Sequence, residues 1–326
     1  MMHITKLIAV MLLLSFGICI SPAHSQTYPN RLITVIAPYP AGGTPDLVGR
    51  IVTEKLASLW KSPIIVEPKP GANGAIGTAN VSQATPDGYT WLIATLSHVT
   101  NPILQENIRW DPITDFEGVS EIGTAPVIAV VPTELKVNTL KQFIERAKAA
   151  PGKLNYLMPG VGTSMHLNTE MLMIAAGIDL VAIPYKGIPA GLLDLLSGRL
   201  SFGMLTLSTA APHLKTGKLT ALAVVSPTRI NQLAGVPTLS EAGYPEAQVL
   251  SWYTILVPAK TPQAIVTRIN EALDQVLSDS DIQERLRKVG VFVSSDRKKP
   301  EQVDAMLKRE SLRWKDVFKN LKVETR

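Results

Sequence analysis

The chain has 326 residues, of which 46% are hydrophobic and 18% charged, with a formal net charge of +5. That length buries a large core and suggests about two domains. The mild positive excess is spread along the chain, which argues against nucleic acid and is compatible with small anionic ligands.

In chain order, residues 1–25 read as a removable export signal: Lys6 supplies the positive start, 7–20 the apolar run, and Ala23-His24-Ser25 the small residues before the cut. Cleavage after Ser25 leaves Gln26 first and 301 residues (326 − 25), and loss of Lys6 takes the net charge from +5 to +4. An uncleaved anchor is the alternative, but the fourteen residues of 7–20 are short for a span of roughly 20. The bulky Ile18 before Cys19 disfavours a lipid on that cysteine. Cys19 is the sole cysteine, so the processed protein has no disulfide, no catalytic thiolate and no Cys-ligated metal. Exported yet free of disulfides fits the bacterial periplasm.

Beyond the signal, the apolar run 32–37 feeds into Pro38-Tyr39-Pro40-Ala41-Gly42-Gly43-Thr44-Pro45-Asp46, after which Leu47, Val48, Ile51, Val52, Leu56 and Leu59 recur at helical spacing. A strand, a glycine-bearing loop and an amphipathic helix present backbone N–H groups to an anion; a plain surface turn reads the same way. Thr44 reads as the N-cap, Pro45 as the first helical residue and Asp46 as first-turn acid. Further strands are expected at 63–67, 90–95, 127–131, 154–158, 179–184, 200–206, 220–226, 252–257 and 291–294. Helices are expected at 45–60, 74–84, 139–150, 164–176, 188–197, 262–278, 281–289 and 300–320. Thr139 reads as a cap, and Gly177, Gly198, Gly217 and Gly290 as left-handed residues after helices or turns. The alternation implies an α/β fold with mainly parallel sheets covered by helices. No repeat or linker is visible, so two lobes would be joined by strands that cross between them. The last helix mixes apolar residues and charges and reads as packed along the outside of one lobe.

The search for chemistry finds no metal cluster, no cofactor fingerprint and no nucleophile elbow. His98, His166 and His213 remain after processing, without HExxH or metal-ligand spacing. Ser164-Met165-His166 puts a hydroxyl near an imidazole without GxSxG around it. What remains is a set of loops at the carboxyl ends of strands, where open α/β sheets bind ligands. These are 38–44, 95–102 with Ser97 and His98, 159–164 with Gly160, Gly162, Thr163 and Ser164, 185–187 with Tyr185, and 207–209 with Ser208.

The resemblance to a family rests on Tyr28-Pro29-Asn30-Arg31, Pro38 to Asp46, Arg50, Pro70-Gly71-Ala72-Asn73-Gly74-Ala75-Ile76-Gly77 and Pro86-Asp87-Gly88-Tyr89-Thr90. It continues at Asn101-Pro102, Gly160, Gly162, His166-Leu167, Glu170, Pro184-Tyr185-Lys186-Gly187, Gly217-Lys218-Leu219, Leu222-Ala223-Val224, Pro237 to Gly243 and Pro258-Ala259. In that order the chain resembles the periplasmic solute receptors of tripartite tricarboxylate transporters, the Bordetella uptake gene (Bug) family. The resemblance implies a two-lobed type 2 periplasmic binding fold that closes like a hinge on a carboxylate in the inter-lobe cleft, with 26–124 plus 226–326 as one lobe and 125–225 as the other. It implies small and large membrane permease subunits as partners, and no cofactor, metal or catalysis; a monomer is expected. The expected ligand contacts are Tyr39, Ala41, Gly42, Gly43, Thr44, Asp46, Ser97, His98, Met158, Gly160, Gly162, Thr163, Ser164, Tyr185, Leu205 and Ser208.

Departures from the family bear on the ligand. Met158 stands where members often have a small or polar residue, Thr163 where they have serine, and Leu205-Thr206 where many carry an acid, often followed by Asn. Val161 and Met165 also replace commonly polar residues. Neutral drift accounts for these; so does a less polar pocket without a carboxylate for a ligand ammonium, which favours a dicarboxylate with an aromatic or extended apolar body over an amino acid. Two other functions use the same residues: a sensor presenting its liganded form to a membrane kinase, and a hydrolase using Ser164 or Ser97.

Overall fold

The computed structural model describes residues 28–294 and 298–320; the expected signal lies outside them. Residues 31–326 form one compact unit, and the segment up to Asn30 is a separate one. Within the larger unit the strands are β1 (Ile33–Ala37), β2 (Ile64–Pro68), β3 (Thr90–Ala94), β4 (Phe116–Ala125), β5 (Val127–Pro132), β6 (Asn155–Met158), β7 (Val181–Pro184), β8 (Phe202–Thr206), β9 (Leu219–Val225) and β10 (Ser251–Pro258). The helices are α1 (Thr44–Trp60), α2 (Ala75–Ser82), α3 (Ser97–Leu104), α4 (Leu140–Ala149), α5 (Ser164–Ala176), α6 (Ile188–Leu196), α7 (Leu207–Lys215), α8 (Gln263–Ser278), α9 (Ser280–Lys288) and α10 (Pro300–Asn320).

The strands form two five-stranded sheets, ordered β2-β1-β3-β10-β4 and β7-β6-β8-β5-β9. Both are mixed, which corrects the expectation of mainly parallel sheets. β10 runs against its neighbours β3 and β4, and β5 against β8 and β9, while the remaining pairs are parallel. Each reversed strand is the first one laid down after the chain changes sheet. Pro126 alone separates β4 from β5, and the return to β10 runs through 226–250. The sheets are therefore joined directly from strand to strand at the first crossing and by a longer connection at the second, and the same topology is built twice.

Burial alternates along the crossing strand. Val127, Ala129 and Val131 of β5 enter the core that holds Phe143 of α4 and Leu172 of α5. Ile128 and Val130 enter the core on the opposite face with Leu195 of α6 and Ala210 of α7. This is the two-residue period of a strand covered on both faces. α4 behaves as its sequence dictates: Leu140, Phe143, Ile144 and Ala147 are buried, and the Thr139 hydroxyl accepts the Gln142 N–H at 3.2 Å. Gly177, Gly198, Gly217 and Gly290 all have positive φ, as expected. α10 lays Val303, Met306, Leu307 and Trp314 on the first sheet's core, with Leu312 exposed.

Three readings fail for identifiable reasons. β4 was missed because Gly118, Glu121 and Gly123 break its apolar pattern. Those glycines give space instead, since a Cβ would lie 2.7 Å from Val303 at one and 2.4 Å from the Phe292 carbonyl oxygen at the other. Glu121 is buried against Lys298. The segment 291–294 is no strand; only Phe292 bridges Thr124. The segments at 95–102 and 207–209, read as loops from their hydroxyls and Asn101-Pro102, begin α3 and α7.

Phe202 and Phe143 stack at 4.8 Å between centroids, both fully buried. Phe202→Ala should therefore destabilise the protein by about 3–5 kcal/mol, read from urea unfolding.

Candidate functional site

The loops after β1 and β6 are the same turn built on different letters. Gly42 has φ +77° and Gly162 φ +78°, values open to glycine at no steric cost. Each is followed by an extended residue that starts a helix: Gly43 (φ −70°, ψ 161°) before α1 and Thr163 (φ −70°, ψ 156°) before α5. The N–H of Gly43 donates to the Pro40 carbonyl at 3.1 Å, and that of Thr163 to the Gly160 carbonyl at 3.4 Å. Four residues beyond each glycine a first-turn side chain reaches back. Asp46 Oδ2 accepts the Gly42 N–H at 2.9 Å, and His166 Nδ1 accepts the Gly162 N–H at 3.2 Å. One turn later, Arg50 Nη2 lies 2.9 Å from Asp46 Oδ1, and Glu170 Oε1 lies 3.6 Å from His166 Nε2.

This wiring decides which donors are left. Gly42 and Gly162 have spent their N–H groups on their own helices. Among the described residues, no acceptor faces the N–H groups of Thr44 and Asp46 in the first turn, or of Ser164 and Met165 in the second. Pro45 has no N–H, and Thr163 Oγ1 caps His166. Each helix thus offers two unpaired amides at its positive end, an arrangement that attracts anions. The expected Thr44 cap is corrected: Gly43 is the N-cap, without a side chain, and Asp46 takes over as acceptor.

Phenols close the first turn. Tyr39 Oη lies 2.7 Å from Thr95 Oγ1, and burial raises its pKa, with hydrogen bonding to Ser97 and Thr95 opposing. Burial pushes the Tyr253 phenol up to about 12, while hydrogen bonding to Ser251 and Thr44 pulls it down. Tyr253 was not foreseen, because a Trp-Tyr pair in an apolar strand reads as core. Asn73, Thr100 and Asn101 were also missed as site residues. The two protons of Asn73 Nδ2 are shared among the Val161 carbonyl (2.6 Å), Ser97 Oγ (3.1 Å) and Asn101 Oδ1 (3.2 Å), and Thr100 Oγ1 donates to the Gly162 carbonyl at 2.8 Å. The two turns, 120 residues apart in sequence (Gly42 and Gly162), are thereby brought together around α3.

The family model described as tripartite tricarboxylate transporter family receptor matches residues 48–323. The chain belongs to this receptor family. It is 30% identical to the protein BugT of Bordetella pertussis, over 98% of each chain. The structure of the periplasmic binding protein BugD superposes with TM-score 0.84 at 32% identity, covering 92% of this chain and 100% of that one. The R. palustris protein Rpa4515 with adipate gives TM-score 0.84 at 31% identity, covering 90% of this chain and 97% of that one. The receptor is therefore a two-lobed periplasmic solute-binding protein of the Bug type.

Of the receptor's expected contacts, Tyr39, Ala41, Gly42, Gly43, Thr44, Asp46, Ser97, Gly160, Gly162, Thr163 and Ser164 lie in or between the two turns. Gly42 and Asp46 serve there as internal supports. Met158 is partly buried against the core of Phe143 and Phe202. Four expected contacts have other partners in the structure. His98 is buried in the core, stacked 5.2 Å from Trp110 and edge-on to Phe116, with Nε2 2.9 Å from the Pro112 carbonyl. Leu205 is fully buried between Ile128 and Leu157 in an apolar cluster. Tyr185 turns its hydroxyl to Asp194 at 2.7 Å, and its ring covers Gly191. Ser208 pairs with Thr206 Oγ1 at 3.1 Å, and its backbone backs onto Gly290. Ser164 Oγ points to the Met165 sulfur at 3.4 Å, and His166 Nδ1 is already occupied.

Burial pushes His166 and His98 down to about 4. Both pKa values are depressed on folding, so the unfolded chain binds more protons between their ordinary value of 6.5 and about 4. Stability must then fall as pH drops through that window. Thermal melts from pH 7 to 4 should show this decline, and His98→Gln should reduce its slope by about half, since one of two like groups no longer titrates.

Proposed function

We propose that this receptor captures a small dicarboxylate with an extended or aromatic apolar body, one carboxylate at the start of α1 and the other at the start of α5. The observation that carries the reading is the turn built twice, each copy with two unpaired amides. Two neutral, preorganised donors at a helix start attract a carboxylate without lysine or arginine. Arg50, one turn into α1, is held by Asp46.

An amino acid fits less well. The Asp46 carboxylate is engaged by Gly42 and Arg50, and Glu170 accepts from the Tyr156 hydroxyl at 2.6 Å. Neither is open to a ligand ammonium, and burying that charge unpaired is costly. Rpa4515, similar to this chain, is a protein seen with adipate, a dicarboxylate with an apolar body of the expected kind.

In this reading 26–124 with 226–326 form one lobe and 125–225 the other, hinged at Pro126 and at the return through 226–250, and the lobes close on the ligand. The closed monomer hands the ligand to small and large permease subunits, without catalysis. Export removes the chain up to Ser25.

The test is calorimetry and thermal shift with adipate, benzene dicarboxylates, aspartate and glutamate. Adipate at a hundred times its Kd should add about 2.7 kcal/mol of stability. A Cβ on Gly43 would lie 3.1 Å from the Pro40 carbonyl oxygen, so Gly43→Val should displace the first turn and weaken adipate at least about tenfold while the protein stays folded. Tight binding of an amino acid, with no affinity for adipate or benzene dicarboxylates, would overturn the reading.

A further inference from the structure

The segment before α2 is strained. Gly71, Ala72, Asn73 and Gly74 have φ of 133°, 46°, 52° and 91° in succession. Ala72 carries a side chain in the left-handed region, which is unfavourable for it, whereas asparagine at 73 tolerates that conformation. Strain of this kind persists only where surrounding contacts hold it in place. Here the contacts are those of the Asn73 side chain, whose amide lies between Ser97 and Asn101 of α3 and the Val161 carbonyl in the loop after β6. Asn101 Nδ2 secures the turn from behind by donating to the Asn73 carbonyl at 3.0 Å.

From this geometry we propose that Asn73 and Thr100 form a clasp that holds the two turns together whether or not the cleft is filled, a reading that rests on the hinge closure inferred above. Asn73 Nδ2 binds the Val161 carbonyl and Thr100 Oγ1 binds the Gly162 carbonyl, so both bonds read backbone, one residue apart, on the loop that starts α5. The approach is close: a Cβ at Gly162 would lie 2.7 Å from Leu104 Cδ1 and 2.8 Å from Thr100 Oγ1, and one at Gly160 2.9 Å from Asn73 Oδ1. Glycine at 160 and 162 suits this close approach, and the positive φ of both residues favours it locally. The donors and acceptors are uncharged, so the clasp adds no field to the carboxylate sites and is insensitive to salt. Its role is to bias the resting protein toward closure, so that part of the cost of bringing the turns together is met before ligand arrives.

The experiment compares wild type, Asn73→Gly, Thr100→Val and the double variant by small-angle scattering and by the rate of adipate release. Glycine at 73 keeps the left-handed backbone at no cost, and Thr100→Val removes only the hydroxyl, which keeps the test intact if the first variant disturbs its turn. Without ligand, each variant should show a larger radius of gyration than wild type, and saturating adipate should restore the wild-type value. Adipate release should be about tenfold faster in the double variant, the effect of two lost neutral hydrogen bonds, equally at low and high salt. Variants that scatter like wild type without ligand and release adipate at the wild-type rate would overturn the clasp. A wild type that takes no adipate would instead count against the carboxylate reading, and the ligand-free scattering would still decide the clasp.

Discussion

A glycine N–H donated forward to a side chain of the next helix's first turn sets the rest of this site. The bond fixes the glycine in the left-handed region, which aims the following residue into an extended conformation and starts the helix with its next amides unpaired. In the first copy the acceptor is the carboxylate of Asp46, neutralised by Arg50; in the second it is the neutral imidazole of His166, backed by Glu170. Both solutions give the glycine an acceptor without leaving net positive charge at the turn. A carboxylate held there is held by dipoles, whose strength depends on exclusion of water.

The two sheets place these turns. In each, the parallel core strands end at one rim, and β1 and β6 occupy the same place in their sheets, second from the edge next to β2 and β7. The crossing strands β5 and β10 run against the others because the chain enters each sheet from the opposite lobe. Pro126 alone makes the first crossing, and the segment 226–250 makes the return. The shared topology thus puts a helix start at the equivalent strand end of each sheet, and Asn73 and Thr100 of the first bond the loop that precedes the second.

Much of this was legible in the residues. Alternating apolar runs and helical periodicities located nine of the ten strands and eight of the ten helices, because burial on one or two faces writes its period into the chain. Periodicity carries no strand direction, so the mixed sheets were invisible. β4 was hidden by Gly118, Glu121 and Gly123, whose role is to admit Val303, Lys298 and Phe292 from elsewhere in the chain. The glycine-bearing turns were found, yet their equivalence was not: Gly43 answers to Thr163, Asp46 to His166 and Arg50 to Glu170, pairs alike in position and unlike in identity. Position after a strand does not reveal that His98 takes the core face of α3, and the apolar run at 200–206 does not reveal that Leu205, inside β8, faces an apolar cluster. Asn73 escaped notice because its importance lies in a positive φ and in a partner 88 positions away, and neither is encoded locally.

The central claim is that both helix starts act on one ligand. Backbone amide chemical shifts during an adipate titration of the uniformly labelled protein test it most directly. The account predicts that Thr44, Asp46, Ser164 and Met165 move together, saturate at one equivalent and shift downfield as their N–H groups take up carboxylate acceptors, while Gly42 and Gly162 keep their internal bonds and move little. Saturation in which only one of the two helix starts responds, or in which the responding amides lie outside both turns, would contradict it.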